Sequence, residues 1–121
     1  MIQHASNAVL ILSVVHPDML PSLYSVSEVL SDHGAETHII TFSSPAGRPM
    51  PLRDRVHVHD CGVFSGSITH RRTARRVFRH RLEDWMRQHR PRAILAACPF
   101  GYLEALRVRP SPLGASARAA L

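Results

Sequence analysis

The chain has 121 residues, 45% of them apolar, a net charge of +6 and two cysteines. That suits one globular domain with a modest core and excludes a disordered chain or a disulfide scaffold. No window approaches the roughly 18 apolar residues of a membrane span, and the opening "MIQHASN" lacks the basic start of a signal peptide, so a cytoplasmic protein is expected.

Residues 9–15, "VLILSVV", are a continuous apolar run rich in branched side chains, the pattern of a central parallel strand covered on both faces. "HPDMLPS" interrupts it. A helix is expected over 22–33, with Leu23, Val26 and Leu30 on its apolar face, Ser22 as N-cap and Gly34 just past its end. "ETHIITF" (36–42) reads as a second strand, and "SSPAGRPMPLRDR" as a loop. "VHVHDCG" (56–62) alternates as a third strand, and "SGSITHRR" reads as a turn. Phe78, Leu82, Trp85 and His89, with Met86, give a helical period over 73–89. "RAILAAC" (92–98) is a fourth strand and "FGYLEALRV" a further helix. Residues 109–121 have no periodicity and are expected to be a disordered tail after a domain of residues 1–108.

The order β-α-β-β-α-β-α argues an α/β fold: a Rossmann-like open parallel sheet with helices on both faces. Right-handed crossovers favour the strand order 3-2-1-4. The first and fourth strands are then neighbours at the topological switch point, where open α/β sheets bind ligands beyond the carboxyl ends of their strands. "HPDMLPS" and "CPFG" should face each other there, which makes His16, Asp18, Ser22, Cys98, Pro99 and Gly101 the candidate substrate-binding residues. A neutral His16 beside Asp18 could orient a hydroxyl or accept its proton. The alternative is a solvated loop histidine, with Asp18 starting a turn. No catalytic residue is assigned.

His57, His59 and Cys61 recur at every second residue and share one strand face. H-x-H is a possible metal pair, but no further ligands accompany it, so histidines on an edge strand are the simpler reading and no metal is expected. Cys61 and Cys98 form no CxxC and read as buried, reduced thiols. All 15 basic residues are arginine. Eight of them, Arg71, Arg72, Arg75, Arg76, Arg79, Arg81, Arg87 and Arg90, surround the stripe Phe78-Leu82-Trp85-Met86. The stripe serves for packing on the sheet. The same polarity would also suit contact with an anionic membrane or phosphate through Arg72, Arg75, Arg76 and Arg79, and nucleic acid is the least supported partner. Neither a dinucleotide fingerprint nor a P-loop is present, and no cofactor is expected.

Taken together, "VLILSVV…PSLYSVSEVLSDHGAETHIITF", "VHVHDCG", the basic helix and "PRAILAACPFGYLEAL" resemble the N-terminal, acceptor-side domain of GT-B glycosyltransferases, specifically the family-4-like group. Glu28, Leu30, Gly34 and Glu36 match its "E-x-L-x-x-x-G-x-E" pattern. The residues from Pro91 to Pro99 match its "P-D-V-V-H-x-H" strand. Pro17 and Asp18 stand about where many members carry a glycine pair, and Leu95 and Ala97 where histidines are common. The resemblance implies transfer of a sugar from a nucleotide-sugar to a lipid-linked or small-molecule acceptor. It also implies a position peripheral to the inner face of the membrane. The donor is held by a second Rossmann-like domain that this sequence does not contain, so a partial or split enzyme, inactive by itself, is expected. The alternative is a non-enzymatic basic α/β module, or inactive fragment, that binds anionic lipid or nucleic acid.

Overall fold

Five consecutive apolar residues, Ala8–Leu12, form β1 and are all buried. They lie in a computed structural model that describes residues 7–43, 52–64, 67–97 and 119–120. The other elements are a 3-10 turn at Pro17–Met19, α1 at Pro21–Asp32, β2 at Glu36–Thr41, β3 at Val56–Asp60, α2 at Ile68–Gln88 and β4 at Ala93–Ala96. β1 pairs in parallel with β2 on one side and β4 on the other, and β2 pairs in parallel with β3. The strand order is therefore β3-β2-β1-β4, the 3-2-1-4 order that the β-α-β pattern predicts. Ala119–Ala120 (β5) pairs in parallel with Ile94 and Leu95 of β4. This pair lies within the segment that shows no periodicity in the sequence; the rest of 109–121, the boundary at 108 and the helix expected over 100–108 lie outside the described residues.

The continuous apolar run is explained by two-sided burial. Leu10 and Leu12 of β1 join Ile40, Phe42, Cys61 and Ile94 against Ala74, Phe78, Leu82, Trp85 and Met86 of α2. Val9 and Ile11 face the other way and pack with Ile39, Val56 and Leu23 of α1. Burying each large side chain contributes about 1.5–3 kcal/mol. The stripe Phe78-Leu82-Trp85-Met86 thus belongs to the core.

Several element ends differ from the sequence expectation. β1 stops at Leu12 rather than Val15, because the Ser13 hydroxyl donates to the Val15 carbonyl (2.7 Å) and accepts the Val15 N–H (3.1 Å), closing a local turn. α1 starts at Pro21, so Ser22 is inside the helix and is not its cap. Proline at the first helical position loses no hydrogen bond and arrives with its φ already set. The buried side of α1 is Leu23 and Ser27, with Leu30 partly buried, while Val26 is 40% exposed. α2 starts at Ile68, five residues before the expected Thr73, because the Ser67 hydroxyl caps it by accepting the His70 N–H at 3.2 Å.

The end of α1 follows the expectation. Gly34 has φ +85, the Ala35 N–H donates to the Leu30 carbonyl and the Gly34 N–H to the Ser31 carbonyl. This is a Schellman cap, and it aims the chain straight into β2.

Candidate functional site

At the switch point the chain leaves β1 through a hydrogen-bonded turn. After the Ser13 turn, the His16 carbonyl accepts the Met19 N–H at 2.9 Å and the Pro17 carbonyl accepts the Leu20 N–H at 3.2 Å. Pro17 is fully buried and anchors the turn, and Pro21 opens α1. The two prolines therefore have separate jobs: one fastens the loop, the other starts the helix. His16 is half-buried and Ser22 is exposed in the first turn of α1, while the backbone of Asp18 lies in the 3-10 turn. β4 ends at Ala96 beside Leu12, and the Ala97 N–H donates to the Leu12 carbonyl at 2.9 Å. The chain leaving β4 thus starts next to the chain leaving β1. Cys98, Pro99 and Gly101 lie outside the described residues.

A second constellation joins residues far apart in the sequence. Register pairs His38 of β2 with His57 of β3. On the α2 side of the sheet, the His38 ring lies 4.7 Å from His57, 5.3 Å from His59 and 5.2 Å from His89, centre to centre. A hydrogen bond of 3.0 Å joins His38 Nδ1 and His59 Nε2. Trp85 stacks on His89 at 4.3 Å and leans on His38 at 5.1 Å. At the rim, His57 Nε2 meets Glu36 Oε1 at 2.8 Å, and Arg55 pairs with the other Glu36 oxygen at 2.8 Å.

Burial, followed by the neighbouring charges of His57, His59 and His89, pushes the His38 imidazole down to about 4. Burial and then Arg81 lower His59. The hydrogen bond from His57 is the main cause that lowers the Glu36 carboxyl. His38 and His59, the two half-buried members of the stack, thus favour the neutral ring. Among the described residues no three histidine, cysteine or acidic side chains are disposed to hold a metal ion. Cys61 is free and buried, and burial pushes its thiol up to about 11, far from reactive thiolate.

The H-x-H spacing and the edge position of β3 were legible in the sequence. His38 and His89 were not, since only strand register and the return of α2 bring them in.

A third constellation lies on α2. Arg72, Arg75, Arg76 and Arg79 line one groove of about 310 Å³. Arg75 and Arg79 are half-buried beside the packed stripe, and Arg72 and Arg76 are exposed. At 100° per residue, Arg75 and Arg79 fall on one flank of the Phe78 stripe and Arg81 on the other. Arg81 reaches the Asp60 carbonyl of β3 at 3.5 Å, so the groove occupies the flank turned away from β3, toward β1 and β4. The four arginines form two i,i+3 and two i,i+4 neighbour pairs of like charge, each costing the helix about 0.2–0.5 kcal/mol. No acidic residue stands in the first turn of α2 to offset them.

The fold and these sites define a small α/β domain with an open, all-parallel sheet. No protein-family model matches the chain, and no curated protein matches it. The four residues that carry the glycosyltransferase-like pattern each have a structural role here. Glu28 pairs with Arg53 at 3.5 Å, Leu30 and Gly34 build the Schellman cap, and Glu36 holds Arg55 and His57. Among the described residues, no helix is long and apolar enough to cross a membrane.

Proposed function

We propose that this chain is an acceptor-binding domain of the GT-B, family-4-like kind, which holds the acceptor at the β1–β4 switch point while a separate domain supplies the nucleotide-sugar. The supporting observation is the strand order β3-β2-β1-β4, with the hydrogen-bonded turn 13–20 at the carboxyl end of β1. In such a crevice His16 and Ser22, both at the exit of β1, orient an acceptor hydroxyl. The chain by itself binds acceptor but transfers no sugar. Isothermal titration with a panel of polyols, glycosides and sugar phosphates tests this. At least one should bind with about millimolar affinity or better, and His16→Ala combined with Ser22→Ala should weaken it at least fivefold. A panel without a binder, or binding indifferent to both substitutions, would refute the reading.

One observation favours a second reading. The arginine groove suits a non-enzymatic basic module that holds an anionic partner, lipid before nucleic acid. Under that reading the acceptor panel shows no specific binder and the loss of groove charge abolishes all binding.

A further inference from the structure

We propose that the groove lined by Arg72, Arg75, Arg76 and Arg79 is a binding site for a compact ligand carrying two linked phosphates, of the pyrophosphate class. The proposal stands on the groove and does not depend on the acceptor-binding reading.

Three observations carry it. The first is shape. Four arginines and, among the described residues, no acidic one line a single concavity of about 310 Å³, at the lower end of the size of small-ligand pockets. The remaining arginines of the helix, Arg71, Arg81 and Arg87, are not among its lining residues, nor is Arg90 just past its end.

The second is chemistry. Guanidinium is planar, permanently charged and presents paired N–H donors that match the oxygens of a phosphate. Arg72 with Arg76, and Arg75 with Arg79, each lie one helical turn apart, or about 6 Å along the axis. Two such pairs suit two adjacent phosphates better than one. Half-burial of Arg75 and Arg79 holds their stems against the packed stripe, so less rotamer freedom is lost on binding.

The third is position. α2 follows the carboxyl end of β3, and the groove runs from its second turn to its middle. It therefore lies at the same end of the sheet as the turn 13–20, on the flank facing β1 and β4. A ligand whose phosphates rest in the groove can extend the rest of its body toward the switch point. A bound anion also relieves the like-charge repulsion along the helix, so binding and helix stability are linked.

The test is titration of the whole chain with inorganic pyrophosphate, followed by calorimetry and by the thermal midpoint at low ionic strength. Orthophosphate, short duplex DNA and vesicles with and without a phosphomonoester headgroup form the other arms. Pyrophosphate should bind at least tenfold tighter than orthophosphate and raise the midpoint. Arg72→Gln with Arg76→Gln should weaken it at least tenfold, without loss of helix by circular dichroism. Arg87→Gln with Arg90→Gln removes the same charge outside the groove and should change affinity less than twofold. If vesicles with the phosphomonoester headgroup compete with pyrophosphate, the ligand's phosphates are on a lipid; if they do not, it is a free molecule, and both results support the site. Equal losses in the two double variants would overturn the proposal, as would tighter binding of duplex DNA than of pyrophosphate through the same four arginines.

Discussion

His38 shows how a single side chain acquires a property that its neighbours in sequence do not suggest. In "ETHIITF" it looks like an outward-facing strand residue. Pairing places it opposite His57, and α2 then closes over it with Trp85 and His89. Its pKa falls from 6.5 to about 4 because burial and three nearby imidazoles disfavour the charged ring. The unfolded chain takes up this proton below about pH 6.5, whereas the folded chain resists it until about pH 4. The contribution to stability is therefore complete above pH 6.5 and lost as pH falls through this window. After allowance for solvent screening at a half-exposed site, the loss is on the order of 1 kcal/mol. His59 is shifted in the same direction and adds to it. Urea unfolding from pH 7.5 to 4, read through the lone tryptophan, Trp85, should show this decline, and His38→Leu should flatten it. An unchanged pH slope in His38→Leu would mean that the cluster does not govern it.

At the scale of elements, the helix ends explain what could and could not be read in advance. The end of α1 was legible because the cap needs a residue at positive φ and glycine provides one. Gly34 has φ +85, with nothing within 4 Å of where a Cβ would stand. Gly34→Ala should therefore cost about 1 kcal/mol from backbone strain alone, read as a lower thermal midpoint with unchanged spectra; a neutral effect would mean that the cap is dispensable. The start of α2 was not legible as a helix start. "SGSITHRR" carries turn residues, and only the Ser67 hydroxyl on the His70 N–H shows which serine is the cap. The apolar face of α1 was misread for a related reason. Buried Ser27 satisfies itself on the Tyr24 carbonyl at 2.7 Å, so a polar residue occupies the inward position while Val26 points out. A hydrophobic pattern cannot anticipate a hydroxyl that bonds to its own helix.

At the scale of the molecule, the topology was legible and the site chemistry only partly so. A five-residue apolar run, Ala8–Leu12, has few places to go other than the middle of a doubly covered sheet, and chain order with right-handed crossovers then leaves the order 3-2-1-4. The switch point between β1 and β4 follows from that order. The histidine stack and the arginine groove depend instead on register and helix rotation, which composition does not encode: eight arginines surround one stripe, and four of them share a concavity. On the proposed function, ligands enter at the carboxyl ends of β1 and β4. This is tested most directly by backbone amide chemical shifts of the isotope-labelled chain during titration with the tightest-binding member of the acceptor panel. Perturbations should concentrate in residues 13–22 and at Ala97, with Glu36, His38, His57 and His89 at the opposite end of the sheet unmoved. Shifts centred on the histidine stack, with 13–22 silent, would contradict it.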